Sequence, residues 1–214
     1  MPVPIDYSLY LVTDRSLALG RELVEVVSAA VQGGVTVVQI REKGSSSREF
    51  LALAQALKGV LAPRGIPLIV NDRLDLALAC DAAGVPLGRE ALPCPRPRRL
   101  LGPERLLGVS VSTPEEARQA ERAGADYLGV SPIFVTPTKR DTPAATGLDG
   151  LRAIRAVTAL PLVAIGGLSA ANAGEVMAAG ADGIAVVSAL MAAADPREAA
   201  RALRRAIAGH VQRP

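Results

Sequence analysis

The sequence predicts an α/β fold, a closed (β/α)8 or TIM barrel that forms a single domain over residues 1–214. Eight apolar, strand-length runs alternate with segments of helical period, a pattern typical of parallel strands joined by crossover helices. The chain of 214 residues is long enough to bury one large core, and α/β barrels commonly occupy this size without splitting. Eight such pairs favour a closed barrel over an open doubly wound sheet.

The eight predicted strands are bounded by Gly, Pro or charged residues. In chain order they are Tyr7–Asp14, Val35–Glu42, Pro67–Asn71, Val85–Leu87, Leu106–Ser112, Ala125–Ser131, Leu162–Ile165 and Gly183–Val187. The residues between and after them carry the helical period. Each strand–helix pair therefore supplies one eighth of the barrel wall.

Capping and turn residues delimit the predicted helices. Thr113-Pro114-Glu115-Glu116 combines an N-cap, a proline at the first helical position and the acid of a capping box. Four helix ends resemble one another around Gly34, Gly84, Gly124 and Gly180, and they precede strands two, four, six and eight. Residues 89–103 are rich in proline, so we expect a short or distorted fourth helix there.

Composition and charge narrow the function classes. Aromatic residues make up 2% of the chain and the formal net charge is only +3, which disfavours nucleic acid and suits a small anionic ligand. The apolar runs are too short to span a membrane, and the first residues lack a secretory signal, so we expect a cytoplasmic protein. Two cysteines and the single His210 form neither a disulfide framework nor a histidine metal site. A homo-oligomer stays open.

The carboxyl end of the second predicted strand carries the clearest functional signal. Side chains on a strand alternate, so Gln39, Arg41 and Lys43 project from one face, and Ile40 and Glu42 from the other. An amide and two cations on one face suit a phosphate or diphosphate, because an arginine can bind two oxygens at once. The alternative is a solvated strand end whose charges keep the edge soluble.

Other strands also end in polar residues, at the face where barrel active sites lie. Asn71 can bond a heterocycle edge, and Asp72 can hold Mg²⁺ or cap the third helix. Ser110 can contact a phosphate or cap the next helix. Gly166-Gly167 and Val187-Ser188 follow strands seven and eight, where backbone amides bind phosphate, although tight turns alone also explain these glycines. The sequence thus predicts two anion sites.

The segment after the sixth strand, residues 131–143, is too long and polar for a plain connector. Thr136, Thr138 and Lys139 offer two hydroxyls and an ammonium to an anion, or else form a solvated loop. With two anion sites at the barrel mouth, these residues suit an enzyme that joins two phosphorylated molecules.

At this point the motifs resemble those of the thiamine-phosphate synthase family, which couples a hydroxymethylpyrimidine diphosphate to a thiazole phosphate. The resemblance covers nearly the whole chain. Its motifs are Tyr10-Leu11-Val12-Thr13-Asp14, Gln39-Ile40-Arg41-Glu42-Lys43, Asn71-Asp72-Arg73, Pro132-Ile133-Phe134-Val135-Thr136-Pro137-Thr138-Lys139, Ala164-Ile165-Gly166-Gly167 and Val187-Ser188-Ala189. Each motif is weak, but their order and spacing together are specific.

The resemblance implies small phosphorylated substrates and a role for each matching residue. For the pyrimidine diphosphate, the resemblance implies contacts from Gln39, Ile40, Arg41, Glu42 and Lys43, which follow one another in the chain, and from Asn71, Ser110 and Lys139. Thiazole phosphate contacts are implied for Thr136, Pro137, Thr138, Gly167, Val187 and Ser188. Asp72 is the implied Mg²⁺ ligand. Arg41, Lys43, Lys139 and Mg²⁺ would neutralise the departing diphosphate, whose loss leaves a carbocation that the thiazole nitrogen captures.

One departure from the family pattern concerns the metal. Family members usually read Gly-Val-His-Leu-Gly-Gln-Glu-Asp, whose final Asp is the second magnesium ligand, whereas this chain has Gly84-Val85-Pro86-Leu87-Gly88-Arg89-Glu90-Ala91. Ala91 cannot bind a metal. Either Asp72 and the diphosphate suffice, with Glu90 helping, or Arg89 replaces part of the metal's charge.

Two other functions stay open. A thiazole tautomerase of the same superfamily would keep the phosphate site without the metal pair, but its catalytic His falls in the region of Pro132, and this chain has none there. A catalytically silent protein that binds thiazole phosphate or thiamine phosphate would also tolerate Ala91.

Overall fold

The structure is a computed structural model that describes residues 5–42, 44–88, 95–135 and 145–209. Eight parallel strands hydrogen-bond in chain order, and β8 closes against β1. The strands are β1 (Leu9–Val12), β2 (Val37–Ile40), β3 (Leu68–Val70), β4 (Gly84–Leu87), β5 (Leu106–Val111), β6 (Tyr127–Val130), β7 (Leu162–Ile165) and β8 (Gly183–Val186). The predicted closed barrel is confirmed, with every strand at its predicted place.

Helices surround this barrel. They are α1 (Leu23–Gln32), α2 (Ser47–Leu61), α3 (Leu74–Ala79), α4 (Pro95–Leu101), α5 (Pro114–Arg122), α6 (Gly147–Arg155), α7 (Ala173–Ala178), α8 (Ser188–Met191) and α9 (Pro196–Ile207), with short 3-10 helices at Arg15–Ala18 and Ala62–Arg64. Across the described ranges, no helix combines the length and the apolar character needed to cross a membrane. As expected, α4 is short.

The apolar core has two layers because each strand buries both faces. On β2, Val38 and Ile40 pack outward against the helices, while Val37 packs inside the barrel with Tyr10 and Tyr127. The inward cluster fills the barrel below its carboxyl-end mouth. Continuous apolar runs in the sequence therefore reflect burial on both faces.

The predicted helix ends are confirmed at three of four places. Gly34, Gly124 and Gly180 have φ values of 110°, 88° and 106°, the left-handed conformation expected after a helix. The similarity at Gly84 was misleading, because this residue already belongs to β4. A Cβ there would overlap the carbonyl oxygen of Leu106, so close strand packing explains this glycine.

A repeated contact joins neighbouring strands at the end of the barrel opposite its mouth. Asp182, just before β8, accepts hydrogen bonds at Oδ2 from the backbone N of Leu162 (2.8 Å) and from Nη1 of Arg155 (3.0 Å). The arginine stem packs over Gly180, where a Cβ would lie 2.8 Å from its Cγ. We use the name strand clasp for a contact in which a side-chain oxygen just before one strand accepts from a backbone N–H near the start of the neighbouring strand.

The same strand clasp recurs at two other strand pairs. Asp126, before β6, accepts at Oδ2 from the backbone N of Leu107 (2.7 Å) and from the guanidinium of Arg98. Before β2, the residue equivalent to these aspartates is Thr36, whose Oγ1 accepts from the backbone N of Leu9 (3.1 Å). The internal similarity predicted from the sequence therefore has a physical counterpart.

The β3–β4 pair is built differently. These strands share a single pair of residues in register, Ile69 with Gly84, whereas every other neighbouring pair shares three or four. Strand β4 also contains Pro86, which has no N–H to donate. Among the described residues, no strand clasp joins β3 to β4.

We expect Asp182→Ala to lower the free energy of unfolding by about 2 kcal/mol, because the buried Leu162 N–H loses its acceptor. Urea unfolding followed by circular dichroism measures this change. Asp149→Ala is the matched control, since that carboxylate is 98% exposed and pairs with Arg152 on the same helix. Equal stability losses in the two variants would contradict a structural role for the strand clasp.

Candidate active site

A cavity of about 400 Å³ opens at the carboxyl ends of the strands. Its lining includes nine of the residues predicted from the sequence: Gln39, Arg41, Asn71, Asp72, Ser110, Gly166, Gly167, Val187 and Ser188. The residues of the two predicted anion sites, from β2–β3 and from β7–β8, thus share one cavity. Two ligands bound there would lie close to each other.

Some predicted residues lie elsewhere. Ile40 is fully buried in the layer between the strands and the helices. The side chain of Glu42 is 5% exposed and accepts a hydrogen bond at Oε2 from Nε of Arg15 (2.9 Å). Neither side chain lines the cavity, because both project from the outer face of β2. The predictions for Lys43, Arg89, Glu90, Ala91, Thr136, Pro137, Thr138 and Lys139 lie outside the described residues.

Arg41 is held at the cavity wall by the chain segment that follows β1. Its backbone N donates to Oγ1 of Thr13 (3.0 Å), and Nη1 donates to Oδ2 of Asp14 (3.1 Å). Asp14 is itself fixed, since its Oδ1 accepts from the backbone N of Ser16. A guanidinium has five N–H donors, so Arg41 keeps several for an oxyanion in the cavity.

Asp72 occupies a strained position beside β4. Its φ is 57°, which is uncommon for a residue with a side chain. Oδ1 accepts from the backbone N of Gly88 (2.9 Å), and Oδ2 accepts from Nδ2 of Asn71 (2.7 Å). The alternative role of Asp72 as a helix cap is wrong, because α3 begins after Arg73 without a side-chain cap.

The described residues offer a magnesium ion few protein ligands. Asp72 is an exposed carboxylate at the cavity wall, and hard oxygen ligands suit Mg²⁺. Within the described ranges, no three His, Cys, Asp or Glu side chains come together as a metal-binding group. Because Mg²⁺ commonly uses one or two carboxylates together with substrate phosphates and water, Asp72 is compatible with that mode of binding.

The opposite wall of the cavity is a glycine turn after β7. Gly166 and Gly167 have φ values of 107° and 68°. Cβ atoms there would lie 2.8 Å from Cβ of Pro132 and 2.8 Å from Cβ of Phe134, respectively. Both the turn conformation and the close approach of the β6–α6 segment thus require glycine. Phosphate binding at this turn stays a prediction.

Gln39, Tyr10 and Tyr127 form a buried hydrogen-bonded group, which we call the tyrosine relay and which was not predicted from the sequence. Nε2 of Gln39 donates to Oη of Tyr10 (2.8 Å), which lies 3.2 Å from Oη of Tyr127. All three residues line the cavity. Burial raises the pKa of Tyr10 to about 12 and the pKa of Tyr127 well above its ordinary value, so both hydroxyls are protonated at neutral pH. The available signal was that Tyr10 and Tyr127 both fall within predicted strands.

Comparison with protein families gives one match that covers most of the chain. A family model described as thiamine monophosphate synthase matches residues 9–190. Among curated proteins, thiamine-phosphate synthase of Albidiferax ferrireducens is 59% identical over 199 residues, covering 93% of this chain and 91% of that protein. Thiamine-phosphate synthase of Syntrophomonas wolfei is 57% identical over 199 residues, covering 93% and 95%.

A solved structure is similar in fold and sequence. Thiamine phosphate pyrophosphorylase from Pyrococcus furiosus superposes with a TM-score of 0.88 at 39% identity, covering 97% of this chain and 98% of that one. The similarity therefore extends over the whole barrel, including the strands that carry the cavity.

Proposed function

The chain belongs to the thiamine monophosphate synthase family, and from this premise we propose how its cavity couples a hydroxymethylpyrimidine diphosphate to a thiazole phosphate. The chain is an enzyme, a transferase of thiamine biosynthesis. The observation that best supports the proposed chemistry is the single cavity that carries Arg41 and Asp72 on one wall and the Gly166-Gly167 turn on the other.

The two walls suit the two substrates. On the β2–β3 side and at β5, the residues proposed for the pyrimidine diphosphate are Gln39, Arg41, Asn71 and Ser110, together with the predicted Lys43 and Lys139. On the β7–β8 side, those proposed for the thiazole phosphate are Gly167, Val187 and Ser188, together with the predicted Thr136, Pro137 and Thr138. This division places the leaving diphosphate beside the arginine, where its developing charge is neutralised.

The proposed reaction breaks the bond between the pyrimidine methylene carbon and the diphosphate oxygen, and the thiazole nitrogen then forms the new bond to that carbon. Arg41 donates N–H groups to the departing oxygens, and its bond to Asp14 keeps the guanidinium in place. Holding both substrates in one cavity supplies the proximity that the transfer needs. When bound by Asp72 and the diphosphate, Mg²⁺ would supply further positive charge.

The test is thiamine phosphate formation by the purified protein from the two substrates, with Mg²⁺ and with a chelator. We expect product that depends on Mg²⁺, since only part of the leaving group's charge is matched by Arg41. Absence of product with thiazole phosphate still bound would contradict the synthase and favour the tautomerase or silent-binder alternatives. A homo-oligomeric state and a cytoplasmic location stay predictions.

A further inference from the structure

We propose that Arg21 is a positioning residue for the β7–β8 side of the cavity: its guanidinium holds α8, the helix that begins with Ser188, against the segment between β1 and α1. The inference rests on the proposed function, because it concerns how the same cavity holds the thiazole phosphate. Arg21 itself does not line the cavity. We therefore expect its effect on the substrate to be transmitted by α8.

The guanidinium of Arg21 joins three backbone carbonyls from two separate parts of the chain. Nη2 donates to the carbonyl oxygen of Met191 (2.6 Å) and Nη1 to that of Ala193 (2.7 Å), at the carboxyl end of α8. Nε donates to the carbonyl oxygen of Ala18 (2.9 Å), at the end of the 3-10 helix after β1. Because the last carbonyls of a helix have no partner within the helix, a side chain that bonds them fixes the helix end.

The 3-10 helix is the firmly held partner in this contact. At its start, Oδ1 of Asp14 accepts from the backbone N of Ser16, and Oδ2 of Asp14 accepts from Arg41. At its end, the carbonyl oxygen of Ala18 accepts from the backbone N of Arg21 (3.1 Å) as well as from Nε. The bonds of Asp14 and of this backbone N remain when the guanidinium is removed, so its loss releases α8 rather than the 3-10 helix.

Helix α8 is short enough to transmit the contact to the cavity. It runs from Ser188 to Met191, and a helix rises by about 1.5 Å per residue, so its ends lie about 5 Å apart. Val187 and Ser188, at its start, line the cavity, whereas Met191 is bonded to Arg21. Leu190 and Met191 are fully buried and set the depth of α8, but apolar contacts are not directional. The hydrogen bonds of Arg21 therefore define the orientation of α8.

The charge of Arg21 has different surroundings from that of two other arginines that bond carbonyls. Arg98 and Arg155 each pair with an aspartate. In the described part of the chain, the side-chain hydrogen bonds of Arg21 go to carbonyl oxygens alone. A cation without a paired carboxylate at one end of α8 favours an anion at the other end. The charge and the hydrogen bonds of Arg21 thus act in the same direction.

The test compares the KM values of the two substrates in Arg21→Gln, by steady-state kinetics with the other substrate saturating. We expect the KM for the thiazole phosphate to rise about tenfold, the size of one hydrogen bond, because Ser188 is no longer held in place. The KM for the pyrimidine diphosphate should stay within about twofold, since Asp14 keeps its bond to Arg41. Arg21→Lys keeps the charge but cannot span three carbonyls, so it should raise the first KM about threefold, and it serves if Arg21→Gln does not fold.

Arg98→Gln is the matched control. Arg98 also bonds three carbonyls, those of Gly102, Arg105 and Gly124, but it lies at the end of the barrel opposite the mouth. This variant should lower the free energy of unfolding in urea and leave both KM values within about twofold of the unmodified protein. A loss of stability alone is therefore separated from a loss of position at the cavity.

The inference is overturned if the KM for the thiazole phosphate changes less than about twofold in both Arg21 variants, if the KM values of the two substrates rise equally, or if Arg98→Gln raises the first KM as much. If the unmodified protein forms no product, the proposed function fails separately. Binding of thiazole phosphate to the same variants, measured by calorimetry, then still tests the role of Arg21.

Discussion

Arg41→Gln is expected to lower kcat/KM for the pyrimidine diphosphate about a thousandfold, because the departing diphosphate loses a cation that donates to its oxygens. Glutamine keeps a polar side chain but is shorter and uncharged, so the loss reports the charge together with the reach of the guanidinium. Steady-state kinetics at saturating thiazole phosphate, with the pyrimidine diphosphate varied, measure this effect. Urea unfolding shows whether the loss of the Arg41–Asp14 ion pair also changes stability.

Arg15→Gln is the matched control for this substitution. Arg15 lies in the segment after β1, its side chain is 61% exposed, and it pairs with Glu42 rather than lining the cavity. We expect its kcat/KM to stay within about threefold of the unmodified value, because Arg15 does not line the cavity. A loss below tenfold in Arg41→Gln, or equal losses in both variants, would refute the role given to Arg41.

Asp72→Asn is expected to raise the Mg²⁺ concentration for half-maximal activity at least thirtyfold and to lower kcat about a hundredfold, because a neutral amide is a poorer ligand for a hard cation. Asparagine suits the positive φ of this position better than other residues with a side chain, and its Oδ1 can still accept from Gly88. The change removes the charge and also the acceptor of the Asn71 side chain at Oδ2. Titration of activity with Mg²⁺ gives both quantities.

Asp75→Asn is the corresponding control. Asp75 lies in the first turn of α3, pairs with Arg73 (2.6 Å) and does not line the cavity. Its Mg²⁺ dependence should match that of the unmodified protein. An unchanged Mg²⁺ requirement in Asp72→Asn would show that this carboxylate does not bind the metal and that the diphosphate or other residues hold it.

The strands could be predicted well from the sequence, because a strand that is buried on both faces consists of a continuous apolar run. It also placed Arg41, Asn71 and Asp72 at one barrel end, since parallel strands share their carboxyl-end face. The tyrosine relay could not be predicted this way. Tyr10 and Tyr127 are separated by 117 positions, and their contact exists only because the barrel brings β1 and β6 inward to the same space.

One misreading and one ambiguity of the sequence have physical causes. The helix end near Gly84 looked like the other three, but here Asp81, with φ of 50°, takes the left-handed position and the glycine serves strand packing. Asp72 resembled a helix cap because caps and metal ligands use the same residue type after a strand. The structure excludes the cap, because α3 begins after Arg73 without a side-chain cap, whereas the metal role stays a prediction.

The β3–β4 pair, which we call the seam, is the most weakly paired part of the barrel wall. With one register pair and a proline in β4, local opening costs least there, whereas the strand clasps tie β1–β2, β5–β6 and β7–β8 together. At the mouth, the seam is crossed by the Asp72–Gly88 hydrogen bond. A ligand in the cavity that contacts both Asp72 and Gly88 would therefore oppose local opening of this strand pair, and binding would be linked to the stability of the barrel.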